Sequence, residues 1–252
     1  KEVDERFLEE GDKVLEIGSN DGIMLRAFKN NKVLGIEPSE NVAKVARRQG
    51  IETITEFFTE NLAEKVFAER GKFKAILTTN VALNIIEIHE MMEGIYRLLE
   101  DDGVYITEDP YIADILEKGS YDQIYDEHVW YFSLHSLENL CAIHGMEVFD
   151  AEKQWVHGGS MRVYMCKKGD YEKTDRLKGY LEEEKLKEID FIRPYLDFAK
   201  KVEANKIKFK DLLRELKMSG KKIVGYAAAS KGTIVQNYCD IGTEILDYIS
   251  DS

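Results

Sequence analysis

The sequence predicts an α/β protein: a doubly wound parallel sheet flanked by helices, then long connecting helices and the start of a second α/β unit. Three observations carry this. Short apolar runs alternate with amphipathic stretches through the first half, a glycine loop follows the first run, and a strand, loop, helix and strand pattern reopens after residue 220. The strands are, in order, KVLEI (13–17), KVLGIE (32–37), IETI (51–54), FKAILTT (73–79) and GVYITE (103–108). Helical segments separate them, such as SENVAKVARRQG, where Ser39 caps the start and Gly50 the stop. MEVFDAEKQWVHGGSMRVYMCKKG (146–169) reads as two further strands around a turn at Gly159, added antiparallel to the sheet edge.

A change comes at about residue 170. From Tyr171 to Lys222 charges are dense, and Leu177, Leu181, Ile189, Leu196, Val202, Phe209, Leu213 and Leu216 recur at helical spacing, with Pro194 marking a break or kink. One or two long helices are expected. KKIVGYAAASKGTIVQNYCDIGTEILDYISDS then opens a βαβ unit that stops before a sheet can close, so a C-terminal portion is expected to be missing. The expected organisation is residues 1–170, a connector at 171–220, and a partial second unit at 221–252.

Composition bounds the function. A net charge of −13 on 252 residues opposes a phosphate-tracking surface, so nucleic acid is not an expected partner. No apolar run approaches the roughly 18 residues of a membrane span, and the acidic KEVDERFLEE start is unlike a signal peptide, so a cytoplasmic protein with no membrane partner is expected. Cys141, Cys166 and Cys239 lie far apart with no CxxC, which predicts buried thiols, and no acidic grouping suggests a metal cage.

The loop in VLEIGSNDG (14–22) is the first chemical signal. Glycines after a strand let backbone amides approach a ligand, as dinucleotide and S-adenosylmethionine sites do. A dinucleotide fingerprint needs a third glycine where Ile23 and Met24 stand. Glu37 ends the second strand, where a carboxylate can accept both hydroxyls of a ribose. Phe57 and Phe58 follow the third strand, where resemblance to S-adenosylmethionine-dependent methyltransferases implies stacking on an adenine and core packing is the alternative. In the C-terminal unit, Lys231 and Gly232 open a helix in a position suited to a phosphate.

Glu16 followed by G-S-N-D-G resembles motif I of the class I S-adenosylmethionine-dependent methyltransferases, which have a Rossmann-like sheet. That resemblance makes S-adenosylmethionine the expected cofactor, held by Glu16, Gly18, Ser19, Asn20, Gly22, Glu37, Pro38, Phe58 and Asn80. YDQIYDEHVWYFSLHSL (121–137), HGGSMRVY (157–164) and GYAAASKGTIVQNYCDIGTEILDYISD (225–251) resemble, in order, stretches of the sugar C-methyltransferases of deoxysugar biosynthesis. Members of that family act on nucleotide-linked keto sugars and carry an N-terminal four-cysteine zinc module, and residues 1–252 include no such cysteine cluster. The resemblance implies active-site roles for Tyr125, Glu127 and His128, with His128 as general base and Tyr125 as a second base or a donor. It implies acceptor contacts from His157, Gly159, Ser160, Arg162, Lys231 and Gly232.

Two departures matter. The family usually has a histidine in an N-V-x-x-H-I pattern, where this chain reads NVALNI with Asn84. Asparagine can hydrogen-bond but not shuttle a proton, so methyl transfer to a hydroxyl stands beside transfer to carbon. Asp126 replaces a common histidine and adds negative charge. A nicotinamide-dependent oxidoreductase and a non-catalytic cofactor-binding partner are the alternative classes.

Overall fold

The computed structural model describes residues 2–251. Five parallel strands follow the apolar runs: β1 (Lys13–Ile17), β2 (Lys32–Ile36), β3 (Thr53–Ile54), β4 (Phe73–Thr79) and β5 (Leu99–Pro110). A hairpin of β6 (Met146–Gln154) and β7 (Ser160–Lys167) completes a sheet of order β3-β2-β1-β4-β5-β7-β6. β7 inserts between β5 and β6 and runs antiparallel to both, with Glu108 opposite Arg162 and Pro110 opposite Ser160. The chain leaves β1 outward to β2 and β3, then crosses back to β4, so the strand order reverses between β1 and β4. Ligands of open α/β sheets bind at the carboxyl ends of the strands flanking such a reversal.

Alternation along each strand splits the core in two. On one face Leu15, Ile17, Ile76 and Tyr105 pack under α3 (Glu60–Arg70), α4 (Ile88–Leu98), α5 (Ile112–Lys118), α6 (Leu134–Ile143) and α7 (Asp175–Leu186). On the other, Val14, Leu77, Ile106 and Tyr164 meet α1 (Glu2–Phe7), α2 (Glu40–Arg48) and the segment around Leu25 and Phe28. Side chains such as Leu15 and Ile76 are fully buried, each contributing roughly 1.5–3 kcal/mol. Phe149 and Tyr171 stack at 4.5 Å and Phe7 meets Phe149 edge-on at 6.0 Å, closing this second face with aromatic rings.

Two expectations are modified. The glycine loop leads not into an α-helix but into a single 3₁₀ turn, Leu25–Ala27, because the polar run Lys29-Asn30-Asn31 ends the segment just before β2. The segment that follows the loop therefore offers it no α-helix dipole. Pro194 does not kink a helix: it lies in the first turn of α8 (Ile192–Met218), where its missing N–H is an end group anyway. The break falls earlier, between α7 and α8. At α2, Ser39 occupies the N-cap position, but its hydroxyl donates to Asn41 instead of capping the backbone, while Gly50 (φ +84°) follows the helix as expected.

The C-terminal unit has the expected βαβ form. β8 (Val224–Tyr226) pairs parallel with β9 (Tyr248–Ser250) across α9 (Ser230–Tyr238). Cys239, Ile241, Ile245 and Leu213 of α8 make its small core, and Tyr121 of the first unit reaches the Cys239 Sγ at 3.3 Å. All three cysteines are buried and free. No helix among the described residues is long and apolar enough to cross a membrane.

Candidate active site

A cavity of about 760 Å³ opens at the carboxyl ends of β1, β2 and β4, where the strand order reverses. The loop after β1 contributes Gly18 and Asn20, the end of β2 contributes Glu37 and Pro38, the approach to α3 contributes Phe57 and Phe58, and the turn after β4 contributes Asn80 and Asn84. Seven of these eight were expected at the site, and Phe57 was paired with Phe58 as a stacking candidate.

The loop is held by backbone chemistry. Gly18 has φ +71°, and a Cβ there would strike the Val81 side chain, so only glycine lets the loop pass beneath the turn after β4. The Gly18 and Ser19 amides donate to the Ile36 carbonyl at 2.8 and 3.1 Å. Asn20, itself left-handed at φ +51°, donates its amide to Glu37 Oε2 at 3.0 Å, and the Ser39 amide donates to Oε1 at 2.8 Å. Glu37 thus clamps the loop while each oxygen keeps a second lone pair for a ligand hydroxyl.

Other loop residues act from beneath. Glu16 is buried on the opposite face of β1, its Oε2 and the Ser19 Oγ lack a hydrogen-bond partner among the described residues, and burial, reinforced by Asp21 and Glu37, pushes its carboxyl up to about 8. Gly22 packs against Ile51 and Ala46, so it serves the fit of the loop on α2 and not the cavity. Phe58 is wedged against Gly94 of α4, whereas Phe57 is 75% exposed at the rim.

A continuous run of polar contacts leads from the cavity-lining Asn84 and Asn80 to His128. Asn84 Nδ2 donates to the Asn80 carbonyl at 3.2 Å, and the Asn80 amide approaches His157 Nε2 at 3.4 Å. Gln123 Nε2 donates to the His157 carbonyl at 2.6 Å, and His128 Nδ1 lies 2.8 Å from the Gln123 carbonyl. A carbonyl only accepts, so the His128 proton sits on Nδ1 and Nε2 is left as the basic lone pair. Lys231 of α9 approaches His157 Nδ1 at 3.4 Å, bringing the second unit to the same place. The 121–131 stretch is tied to the turn after β4 by Val129 and Trp130 amides on the Leu83 carbonyl, at 2.9 and 3.0 Å, and by the Trp130 indole on the Ile85 carbonyl at 2.8 Å.

Electrostatics sorts the roles. Burial lowers the His128 imidazole below its ordinary value, with Lys231 and His157 adding to the effect and Glu127 opposing it. It is neutral near pH 7. His157 is lowered by burial and Lys231. Tyr125, whose ring lies 4.0 Å from that of His128, is raised by burial and Glu127, which favours its protonated, hydrogen-bond-donating form. Glu127 itself is exposed.

The remaining expected acceptor contacts divide. His157, at φ +52°, is central to the polar run, and Gly159 (φ +133°) is required beside it because a Cβ would collide with Asp114 and Lys118. Ser160 is buried at the start of β7 with its hydroxyl on the Val156 carbonyl, a structural use. Arg162 alternates onto the opposite sheet face and is ion-paired to Glu108 at 2.8 Å. Gly232 lines, with Lys231 and Asp122, a separate cavity of about 370 Å³ in the second unit. Gln123, 2% exposed, was not anticipated, since only the fold shows that it joins two histidines distant in sequence. Asp109, buried at the end of β5, carried the same strand-end signal as Glu37 and was not assigned to the site.

This fold and loop define a class, and the chain belongs to the methyltransferase-domain family, whose model matches residues 1–151. The model of a C-methyltransferase C-terminal domain matches residues 155–252. The C-methyltransferase NovU of Streptomyces niveus is 34% identical over 248 residues, covering 97% of this chain and 59% of the relative, so the chain spans little more than half that protein's length. Among solved structures, a chain from a complex of a Haloferax volcanii methyltransferase activator with a methyltransferase aligns with TM-score 0.52 at 14% identity, over 66% of this chain and 88% of its own. A Listeria monocytogenes protein described as an S-adenosylmethionine-dependent methyltransferase aligns with TM-score 0.50 at 13% identity, over 65% and 95%. These two likenesses concern the fold.

Proposed function

We propose that the chain is an S-adenosylmethionine-dependent methyltransferase acting on carbon of a nucleotide-linked keto sugar or a related small polar acceptor, with His128 as the general base. The observation that carries this is a run of hydrogen-bonded groups leading from Asn84 and Asn80, in the cavity lined by Gly18 and Glu37, through His157 and Gln123 to an imidazole held with Nε2 unprotonated by the Gln123 carbonyl. The residues fit the cofactor. Gly18 permits close backbone approach, and Glu37 offers two acceptor lone pairs for a ribose. When bound, S-adenosylmethionine supplies an electrophilic methyl on a sulfonium.

His128 removes the proton from the carbon beside the acceptor's ketone, and the Tyr125 hydroxyl, which stays protonated, donates to that ketone's oxygen. Asn80, Asn84 and His157 orient polar groups of the acceptor, and Lys231 favours an anionic one. In this reading residues 1–170 hold the cofactor and base, 171–220 connect, and 221–252 bring Lys231 to the acceptor. The C-methyltransferase relative and the matched C-terminal domain favour carbon over oxygen. The test is to incubate the chain with methyl-labelled S-adenosylmethionine and a panel of nucleotide-linked keto sugars and hydroxylated analogues, and to read product masses. Label on a carbon next to the ketone is expected. Label only on a hydroxyl overturns the assignment to carbon, and no transfer to any acceptor overturns the activity.

A further inference from the structure

We propose that the Gln123 side chain is a positioning residue for His128: by anchoring on the His157 backbone it fixes the Gln123 carbonyl, and that carbonyl fixes the tautomer and direction of the His128 ring. The kinetic part of the proposal rests on the reading of His128 as the base, and its structural part does not. Gln123 ends the 3₁₀ turn Tyr121–Gln123 and is 2% exposed. Its Nε2 donates to the His157 carbonyl at 2.6 Å, while its Oε1 has no partner among the described residues. A carbonyl only accepts, so the amino end of the amide must face it, and this one bond is the side chain's whole polar engagement there.

A single 3₁₀ turn has poor hydrogen-bond geometry, and this one has no side-chain cap. Its position therefore comes from what its side chains hold. At its start, the Tyr121 ring lies 5.2 Å from that of Tyr238 and its hydroxyl reaches Cys239 Sγ at 3.3 Å, both at the end of α9. At its end, Gln123 grips the His157 loop, which is fixed in turn. Lys118 Nζ donates to the Gly158 carbonyl, and the Tyr111 amide donates to the Gly159 carbonyl at 3.2 Å. The turn is thus pinned at both ends to elements outside its own stretch.

The pinned carbonyl of Gln123 meets His128 Nδ1 at 2.8 Å and accepts from the Tyr131 hydroxyl at 3.3 Å. The His128 backbone is held separately, by its own amide on the Tyr125 carbonyl at 2.9 Å and by the Val129 amide on the Leu83 carbonyl at 2.9 Å. With the backbone held from one side and Nδ1 from the other, the ring keeps one direction and one neutral tautomer, its lone pair on Nε2. Removing the Gln123 anchor frees the carbonyl to leave Nδ1, and the proton then divides between the two ring nitrogens.

The tautomer is read without turnover, from nitrogen–proton correlations of the full chain carrying isotope-labelled histidine. The measurement is made at pH 8, where the ring is neutral, and the His128 signals are identified by their loss in His128→Gln. Wild type should show the Nδ1–H form alone. Gln123→Met, of similar length with no donor, and Gln123→Glu, of the same shape with an oxygen facing the carbonyl, should each show a mixture at a melting temperature that confirms folding. His157→Asn keeps the accepting carbonyl and tolerates the left-handed φ of +52°, and should keep the Nδ1–H form. Single-turnover methyl transfer in the two Gln123 variants should fall roughly 10- to 100-fold with S-adenosylhomocysteine affinity unchanged. A pure Nδ1–H form in either folded Gln123 variant, or a mixture in wild type, overturns the proposal. Cofactor affinity falling in step with the rate also overturns it, since that marks a general loosening of the site. If no acceptor is methylated the activity reading fails, and the tautomer measurement still decides the anchor.

Discussion

Replacing Glu37 with alanine isolates the one side chain that ties the glycine loop and faces a bound ribose together. In the free protein the change removes the acceptor of the Asn20 and Ser39 amides, at 3.0 and 2.8 Å. The Asn20 amide is exposed, so water replaces the carboxylate there at little net cost. The ligand hydroxyls inside the cavity have no such substitute. Hydrogen bonds to a charged acceptor contribute about 1.5–3 kcal/mol net, and the same range for the loss at this site corresponds to a Kd roughly 10- to 150-fold weaker. Calorimetric titration with S-adenosylhomocysteine, which keeps the ribose and lacks the sulfonium, measures that loss without turnover. Glu37→Gln, retaining one acceptor oxygen, should fall between wild type and alanine. Wild-type affinity in Glu37→Ala would refute the ribose assignment and reduce Glu37 to a loop clamp.

Replacing His128 with glutamine should lower single-turnover methyl transfer by roughly 10²- to 10⁴-fold with cofactor affinity unchanged. Because burial lowers that imidazole, the wild-type rate should hold at pH 7 and be lost only at a pH below the ordinary imidazole range, and stopped-time assays across pH 5 to 9 check both. Glu184→Ala strands four donors at once, from Tyr111, the Leu134 and His135 amides and the His135 ring, and should cost about 3–5 kcal/mol in urea unfolding. Asp150, 2% exposed between Arg6 and Arg176, has its carboxyl lowered to about 2, so its contribution of about 2 kcal/mol is full above its unfolded value near 4 and is lost as pH falls from there through 2. Asp150→Asn should flatten the stability profile in that window, and an unchanged acid limb would count against the ion pair.

The strands were legible because burial on both faces turns a parallel strand into a continuous apolar run, as in FKAILTT, and the antiparallel hairpin because Gly159 interrupts such a pattern. That Glu37 lines the cavity was legible because it ends the strand beside the one that leads into the glycine loop. The helix after the loop was misread because a glycine loop normally introduces one, and only the short span to β2 with its Asn30-Asn31 stop decides otherwise. Ser160 and Arg162, expected at the acceptor, instead meet the Val156 carbonyl and Glu108 in the structure. Motif position says that a segment is near the site, and strand alternation decides which of its residues face it.

Asn84 shows what only the assembled turn reveals. As a departure from a histidine pattern it suggested a different acceptor atom, hydroxyl in place of carbon. In the structure its amide donates to the Asn80 carbonyl, at the residue whose left-handed φ of +53° turns the chain away from β4. That contact stabilises the conformation presenting Asn80 to the cavity and to His157, a task needing a neutral donor that stays a donor at every working pH. Asparagine meets that need and an imidazole, which trades its proton near neutrality, meets it less steadily. The replacement therefore removes one titrating group from the site without removing a hydrogen bond. In the proposed reaction, proton removal then falls to His128, the one histidine whose tautomer is fixed by a backbone carbonyl and whose second nitrogen is free to act as a base.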